Sequence, residues 1–307
     1  MTSGRIVVVG SVNRDMMLRC EHLPGPGETV SGRDFATAPG GKGANQAIAA
    51  ARLGAAVSFV GCVGDDEFGV AARAALARDG VDTQHLAVVP GQATGVAMVL
   101  TDAAGENCIA LSPGANASLG PHHLDAAAAS WAGAAMLLCQ LESPLPTVRH
   151  AVDLAGQRGV PVLLNPAPAQ ALPVDLLAKV SIIVPNAVEA GLLVGAPVQC
   201  VRDALHAAAH LLALGPSTVI VTLGAQGIVV ATPRMTRYRP APLVEAVDST
   251  GAGDTFVGAL AAVLAEGAPL LVAADLAQRA AAFSVTRRGA QASMPHRDEL
   301  QAWEHAA

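Results

Sequence analysis

The residues most able to do chemistry in this chain lie in one short stretch, Val247-Asp248-Ser249-Thr250-Gly251-Ala252-Gly253-Asp254-Thr255-Phe256. Two glycines flank an alanine, an aspartate follows at once, and an apolar, helix-like run continues from Thr255 to Leu264. A glycine-rich turn feeding a helix leaves backbone N–H groups unpaired, and with the helix dipole these attract anions. A carboxylate placed there would repel an anion, so Asp254 needs another reason to be present. The simplest is that Asp254 accepts a proton from a nucleophile while the amides of Gly251, Ala252 and Gly253 hold a phosphoryl group.

Other polar residues stand where strands are expected to end. Arg5–Gly10 is a β-branched run closed by glycine, and Asn13 and Asp15 follow it two residues apart. In open α/β sheets ligands bind at the carboxyl ends of the strands, although two such residues can also simply cap a turn. Glu142, Asn165, Asn186 with Glu189, and Thr222 before Leu223-Gly224-Ala225-Gln226-Gly227 recur at similar places. A series of polar strand ends on one rim suits a long cleft. Asn186 and Glu189 are three apart and share a helix face. A carboxylate there suits Mg²⁺ beside phosphates, and the alternative is an ordinary exposed helix acid.

Gly40-Gly41-Lys42-Gly43-Ala44-Asn45-Gln46-Ala47 departs from a P-loop, because no glycine lies five residues before Gly41 and Gly43 replaces the required hydroxyl residue. Its glycines open a helix from Ala44 to Leu53 and let the backbone approach a ligand. Asn45 lies in the first turn, and neutral groups at close range suit a polyol. Asp65, Asp66 and Glu67 read as helix-capping acids rather than a metal cluster. Neither His122-His123 nor His206/His210 has ligand-spaced partners, and the sequon at Asn116 carries no weight without a secretion signal.

The elements needed to position these residues follow a βα rhythm. Strands are expected at 56–61, 135–140, 160–165, 181–184 and 218–222, with helices at 145–157, 186–194 and 201–214. This implies an α/β fold, a doubly wound, mostly parallel sheet flanked by helices. Met16 to Phe35 alternates around a Pro/Gly turn, and 94–102 with 107–111 resembles a hairpin. These segments form a small antiparallel β lid, at about 14–36 and 94–112, on a single domain spanning 1–307. The run from Thr255 to Ala274 is divided by Glu266-Gly267-Ala268-Pro269, so two buried helices are expected and no membrane span.

Composition agrees. The chain is 52% hydrophobic, only 3% aromatic, and carries a net charge of −6. Such a balance disfavours nucleic acid as a partner. The five cysteines contain no CxxC pair, which suggests reduced thiols in a cytoplasmic protein.

The motifs together resemble those of the ribokinase-like (phosphofructokinase B) carbohydrate kinases, and the similarity runs over nearly the whole length. Gly10-Ser11-Val12-Asn13-Arg14-Asp15 is similar to the first substrate motif, Gly40–Ala47 to the N-terminal signature and Asp248–Phe256 to the C-terminal signature. Gln140–Pro144, Leu164–Pro168 and Arg288–Gln291 narrow the match to the ribose-phosphorylating branch. The resemblance implies an ATP-dependent kinase acting on the 5-hydroxyl of D-ribose. Asn13, Asp15, Gly41, Lys42, Asn45 and Glu142 would line the sugar pocket, Lys42 through its backbone. Asp254 would be the base, with the amides of Gly251, Ala252 and Gly253 as anion hole. Asn186, Thr222–Gly227, Gly253 and Gln278 would hold ATP, and Glu189 would organise Mg²⁺ through water. Asp248, Thr250, Ser284, Arg287, Gly289 and Ser293 would surround K⁺, several through carbonyl oxygens. The lids of two subunits would clasp into a homodimer.

Two positions depart from the pattern. Gln278 stands where some members place a histidine against adenine, and Arg14 interrupts a motif where small residues are common. The alternatives are a sister kinase for deoxyribose, a ketohexose or a nucleoside, and a non-catalytic sugar- or nucleotide-binding protein on the same fold. Scarce aromatics disfavour a nucleoside pocket.

Overall fold

A computed structural model describes residues 4–306. In chain order the strands and helices are β1 (Arg5–Val9), β2 (Asn13–Cys20), β3 (Gly32–Gly40), α1 (Lys42–Arg52), β4 (Val57–Gly64), α2 (Glu67–Arg78), β5 (Asp82–Val89), β6 (Gly95–Thr101) and β7 (Asn107–Ser112). There follow α3 (Pro121–Ala126), β8 (Ala134–Cys139), α4 (Leu145–Gln157), β9 (Val162–Leu164), α5 (Val174–Leu177), β10 (Ile182–Ile183), α6 (Ala187–Val194) and α7 (Val201–Ala213). The chain continues through β11 (Thr218–Thr222), β12 (Ile228–Thr232), β13 (Met235–Arg239), α8 (Ala252–Ala265), α9 (Leu270–Ser284) and α10 (Arg297–Ala306).

Nine strands form the main sheet in the order β13-β12-β11-β10-β9-β8-β1-β4-β5. The pairs from β11 through β5 are parallel, and β12 and β13 are antiparallel. Strand β1 shows why such strands are apolar throughout. Ile6 and Val8 enter one core layer with Ile48, Leu260 and Ala277. Val7 and Val9 enter the other with Val152 and Leu211. Helices cover both faces, so both registers of the pleat are buried.

The chain leaves β1, adds β4 and β5 on one side, then returns to β8 on the other. That reversal leaves a crevice at the carboxyl ends of β1 and β8, where ligands bind in such sheets. Strand β2 rises from this point and carries a second sheet, ordered β3-β2-β6-β7. The sequence suggests hairpins, and the outer pairs are indeed antiparallel, but β2 and β6 pair in parallel at its centre.

Three elements differ from the sequence reading. The β12–β13 hairpin and β5 are not anticipated from periodicity. The apolar pattern of β5 is broken by Asp82, Gln84 and His85, since as the edge strand it keeps one side in solvent. Asn13 and Asp15 lie within β2 rather than in a turn. Helices α8 and α9 are separated at Glu266–Pro269 as expected, and among the described residues no helix is long and apolar enough to cross a membrane.

Candidate active site

Asp254 is the third residue of α8, whose N-cap is Gly251 with φ +76°. The carboxylate is buried, 8% exposed. Asn45 Nδ2 donates to Asp254 Oδ2 at 2.9 Å, and Gln46 Nε2 donates to Oδ1 at 2.9 Å. Both donors come from the first turn of α1, which packs against α8 in one core layer. Helix position alone explains a first-turn acid, whereas the two amide donors aim it.

Glu142 collects a second group of the expected site residues. Its Oε2 accepts from Ser11 Oγ at 2.6 Å, from Lys42 N at 3.1 Å and from Asn13 Nδ2 at 3.4 Å. Thus the end of β8, the β1–β2 turn and the start of α1 converge on one carboxylate. Gly41 has φ +92°, and a Cβ there would lie 2.6 Å from Asn13 N, so only glycine allows this approach. Asp15 faces the same space. Burial, and then the charges of Glu142 and Asp254, raise its pKa to about 6. Burial opposes the charge of Lys42, but Asp254, Glu142, Glu189 and Asp15 outweigh it and raise the pKa of its ammonium. Lys42 therefore supplies positive charge where four carboxylates meet.

On the other side of Asp254, Asn186 N-caps α6 in a reciprocal box. Glu189 N donates to Asn186 Oδ1 at 2.9 Å, while Asn186 N and Nδ2 donate to the Glu189 carboxylate, each at 2.8 Å. Glu189 is buried rather than solvent-facing. Burial raises its pKa, the Asn186 amide and Lys42 oppose this, and Asp254 adds to it. Asn186 also bridges to Thr222, so the Thr222–Gly227 loop adjoins this helix start. Gln278 lies beside the same loop's far end, its Nε2 donating to Pro240 O at 3.2 Å. Among the three expected anion-hole amides, Ala252 N already donates to Ser249 O at 3.2 Å. That weak turn bond occupies Ala252 N, whereas no such bond ties down Gly253 N among the described residues.

Asp248 organises the loop before α8. Oδ1 accepts from Thr250 N at 2.9 Å and Thr250 Oγ1 at 2.6 Å, and Oδ2 accepts from Gly289 N at 2.8 Å. Burial raises its pKa, but these hydrogen bonds outweigh burial and hold the carboxyl below its usual range. Val247 N and Asp248 N both donate to Val285 O. The structure thereby brings Asp248, Thr250 and Gly289 together next to the end of α9. Ser284 and Ser293 lie close by, their hydroxyls donating to Ala281 O and Ala290 O at 2.8 Å. The Arg287 side chain turns away to Glu299 and over the Phe283 ring.

The family model described as pfkB family carbohydrate kinase matches residues 3–297. This chain belongs to the pfkB family of carbohydrate kinases. It is 42% identical over 302 residues to a ribokinase of Haemophilus influenzae, covering 98% of this chain and 99% of that one. A deoxyribokinase of Salmonella typhi is 38% identical over 291 residues, covering 94% and 95%. The fold superimposes on Arabidopsis thaliana ribokinase complexed with ribose and ATP with a TM-score of 0.90, at 32% identity and 98% coverage of both chains.

Within this pfkB kinase several site residues have roles that sequence reasoning missed. Asn116, to which the sequence reading gives no weight, is buried. Its Oδ1 accepts from Val12 N at 2.9 Å, and its Nδ2 donates to Val12 O at 3.0 Å and Asn13 Oδ1 at 2.8 Å. It sets the Asn13 side chain from 103 positions away, and no local pattern signals that. Asn165 follows the end of β9 as the sequence suggests, and its side chain turns inward, accepting from Gln46 Nε2 and donating to Val184 O. Arg14 does not face the cleft. It donates to Thr37 Oγ1 across the second sheet and lies over the Phe68 ring. Asp66 caps α2, accepting from Gly69 N at 2.8 Å, and also holds Thr94.

Proposed function

We propose that this pfkB kinase transfers the γ-phosphoryl group of ATP to the 5-hydroxyl of D-ribose, giving ribose 5-phosphate and ADP. The observation that carries the reading is the placement of Asp254. A buried carboxylate, aimed by two amides, stands at the N-terminus of α8 beside the Gly251–Gly253 turn and opposite Glu142, Asn13 and Asp15. A base beside an anion-binding turn suits attack by an alcohol on a phosphoryl group. The same arrangement argues against a purely binding role.

Asn13, Asp15, Gly41, Lys42, Asn45 and Glu142 form the sugar pocket in this reading. Asn186, the Thr222–Gly227 loop, Gly253 and Gln278 form the nucleotide side. Glu189 has the oxygen chemistry that Mg²⁺ prefers, and since its carboxylate is engaged with Asn186, water between it and the ion fits best. Asp248, Thr250 and the carbonyls of Ser284, Arg287, Gly289 and Ser293 are hard oxygen donors suited to K⁺, which would brace the turn ahead of α8.

The whole chain acts as one kinase domain, with the second sheet as lid. Strand register places Asp15, Met17, Ala97, Val99, Ile109 and Leu111 on one face. Ile109 and Leu111 are 58% and 44% exposed. A sugar is too small to cover that apolar area, so a second lid in a homodimer fits it. All five cysteines are free thiols, which suits the cytoplasm.

The second reading, a deoxyribokinase, is favoured by the Salmonella typhi similarity. A phosphorylation screen with ATP over ribose, deoxyribose, ketohexoses and nucleosides tests the choice. Turnover highest with D-ribose is expected. Background rates with ribose would reject it, and tight sugar binding without turnover of any sugar would favour the non-catalytic alternative.

A further inference from the structure

Gln46 is fully buried, 0% exposed, and therefore touches neither sugar nor nucleotide. Yet its amide spans the site. Nε2 donates to Asp254 Oδ1 at 2.9 Å and to Asn165 Oδ1 at 3.0 Å, while Oε1 accepts from Gln140 Nε2 at 2.6 Å. Both N–H groups and one oxygen lone pair of this side chain are thereby used. Gln140 is buried as well, 1% exposed. A Cβ at residue 10 would lie 2.3 Å from Gln140 Oε1, so Gly10 leaves the room that Gln140 occupies.

A matching arm reaches the other carboxylate oxygen. Gln291 Nε2 donates to Asn45 Oδ1 at 3.0 Å, and Asn45 Nδ2 donates to Asp254 Oδ2 at 2.9 Å. Each arm is a chain of two primary amides that donate in sequence toward Asp254, with the second Gln46 N–H turned to Asn165. The order is directional, because flipping any amide sets an oxygen against an oxygen. Such linked bonds polarise one another in a dry interior.

We propose that Gln46, held by Gln140, is a positioning residue for the base. It fixes the direction of the Asp254 carboxylate and so the lone pair that meets the sugar hydroxyl, without contacting either substrate. The inference rests on Asp254 being the base. Near-normal turnover in Asp254→Asn would remove that reading itself. Loss in Asp254→Asn without loss in Gln46→Met would overturn only the positioning role.

The test compares steady-state kinetics of Gln46→Met, Gln140→Met and each in the Asp254→Asn background, using D-ribose and ATP. Methionine keeps the length and removes the donor. Gln46→Met is expected to lower kcat by about 10- to 100-fold, the scale on which small misplacements act. Both KM values should stay within about twofold, since an interaction made only in the transition state is lost. In the Asp254→Asn background Gln46→Met should change kcat no further, because it acts through that carboxylate. Gln140→Met should give a smaller loss of the same kind, and it keeps the test open if Gln46→Met does not fold. Unchanged kcat in both variants, a higher ribose KM with kcat kept, or losses that add in the Asp254→Asn background would each overturn the proposal.

Discussion

Asn45 Nδ2 lies 2.9 Å from Asp254 Oδ2, joining the first turns of α1 and α8 across 209 positions of sequence. Both helix starts are thereby locked to one carboxylate, and a proposed sugar ligand is locked to the proposed base. In the proposed reading, a sugar hydroxyl entering the pocket meets an acceptor already aimed. Asp254→Asn keeps the shape but cannot accept a proton as a carboxylate does. Its kcat should fall by about 10²–10⁴-fold, the usual contribution of a positioned base. ATP affinity, read by calorimetry, should stay close to that of the unaltered protein. Normal turnover in this variant would remove Asp254 from the chemistry.

Glu142 takes hydrogen bonds from Ser11, Lys42 N and Asn13. Glu142→Ala leaves these donors without their acceptor, which costs about 1–3 kcal/mol for a buried donor. A lower Tm and a markedly higher ribose KM are expected, with the ATP KM little altered. If only Tm changes, Glu142 is a brace for the β1–β2 turn and not a sugar ligand.

Asp15 carries a carboxyl whose pKa is raised to about 6 by burial and by Glu142 and Asp254. Its ionisation therefore opposes folding. The stability it contributes is fully present below the ordinary value of 3.8 and is lost as pH rises through about 6. The Tm of sugar-free Asp15→Asn, minus that of the unaltered protein, should grow between about pH 5 and about pH 7. Ribose KM should rise as pH falls below about 6, where the carboxylate acceptor is lost. A pH-independent Tm difference would contradict both the burial and its consequence.

Asp248 holds Thr250 and Gly289 in the loop before α8. If K⁺ braces that loop, replacing K⁺ with Na⁺ should reduce kcat, and Asp248→Asn should abolish the difference between the two ions. Equal activity in both ions with the unaltered protein would count against the site.

The α/β class, the division between α8 and α9, the position of Asp254 where a glycine-rich turn feeds a helix and the closeness of Asn186 to Glu189 all follow from the sequence. They depend on periodicity, glycine and capping chemistry, interactions that reach only a few residues along the chain. Tertiary structure alone decided the parallel β2–β6 pair, the β12–β13 edge hairpin, the inward turn of Asn165 and the use of Asn116 to set Asn13. It alone decided that Asn45 and Gln46, adjacent on α1, donate to different oxygens of the Asp254 carboxylate. Adjacent residues on a helix point in different directions. Which direction meets a carboxylate 208 positions away depends on how α1 packs against α8, and no local spacing records that.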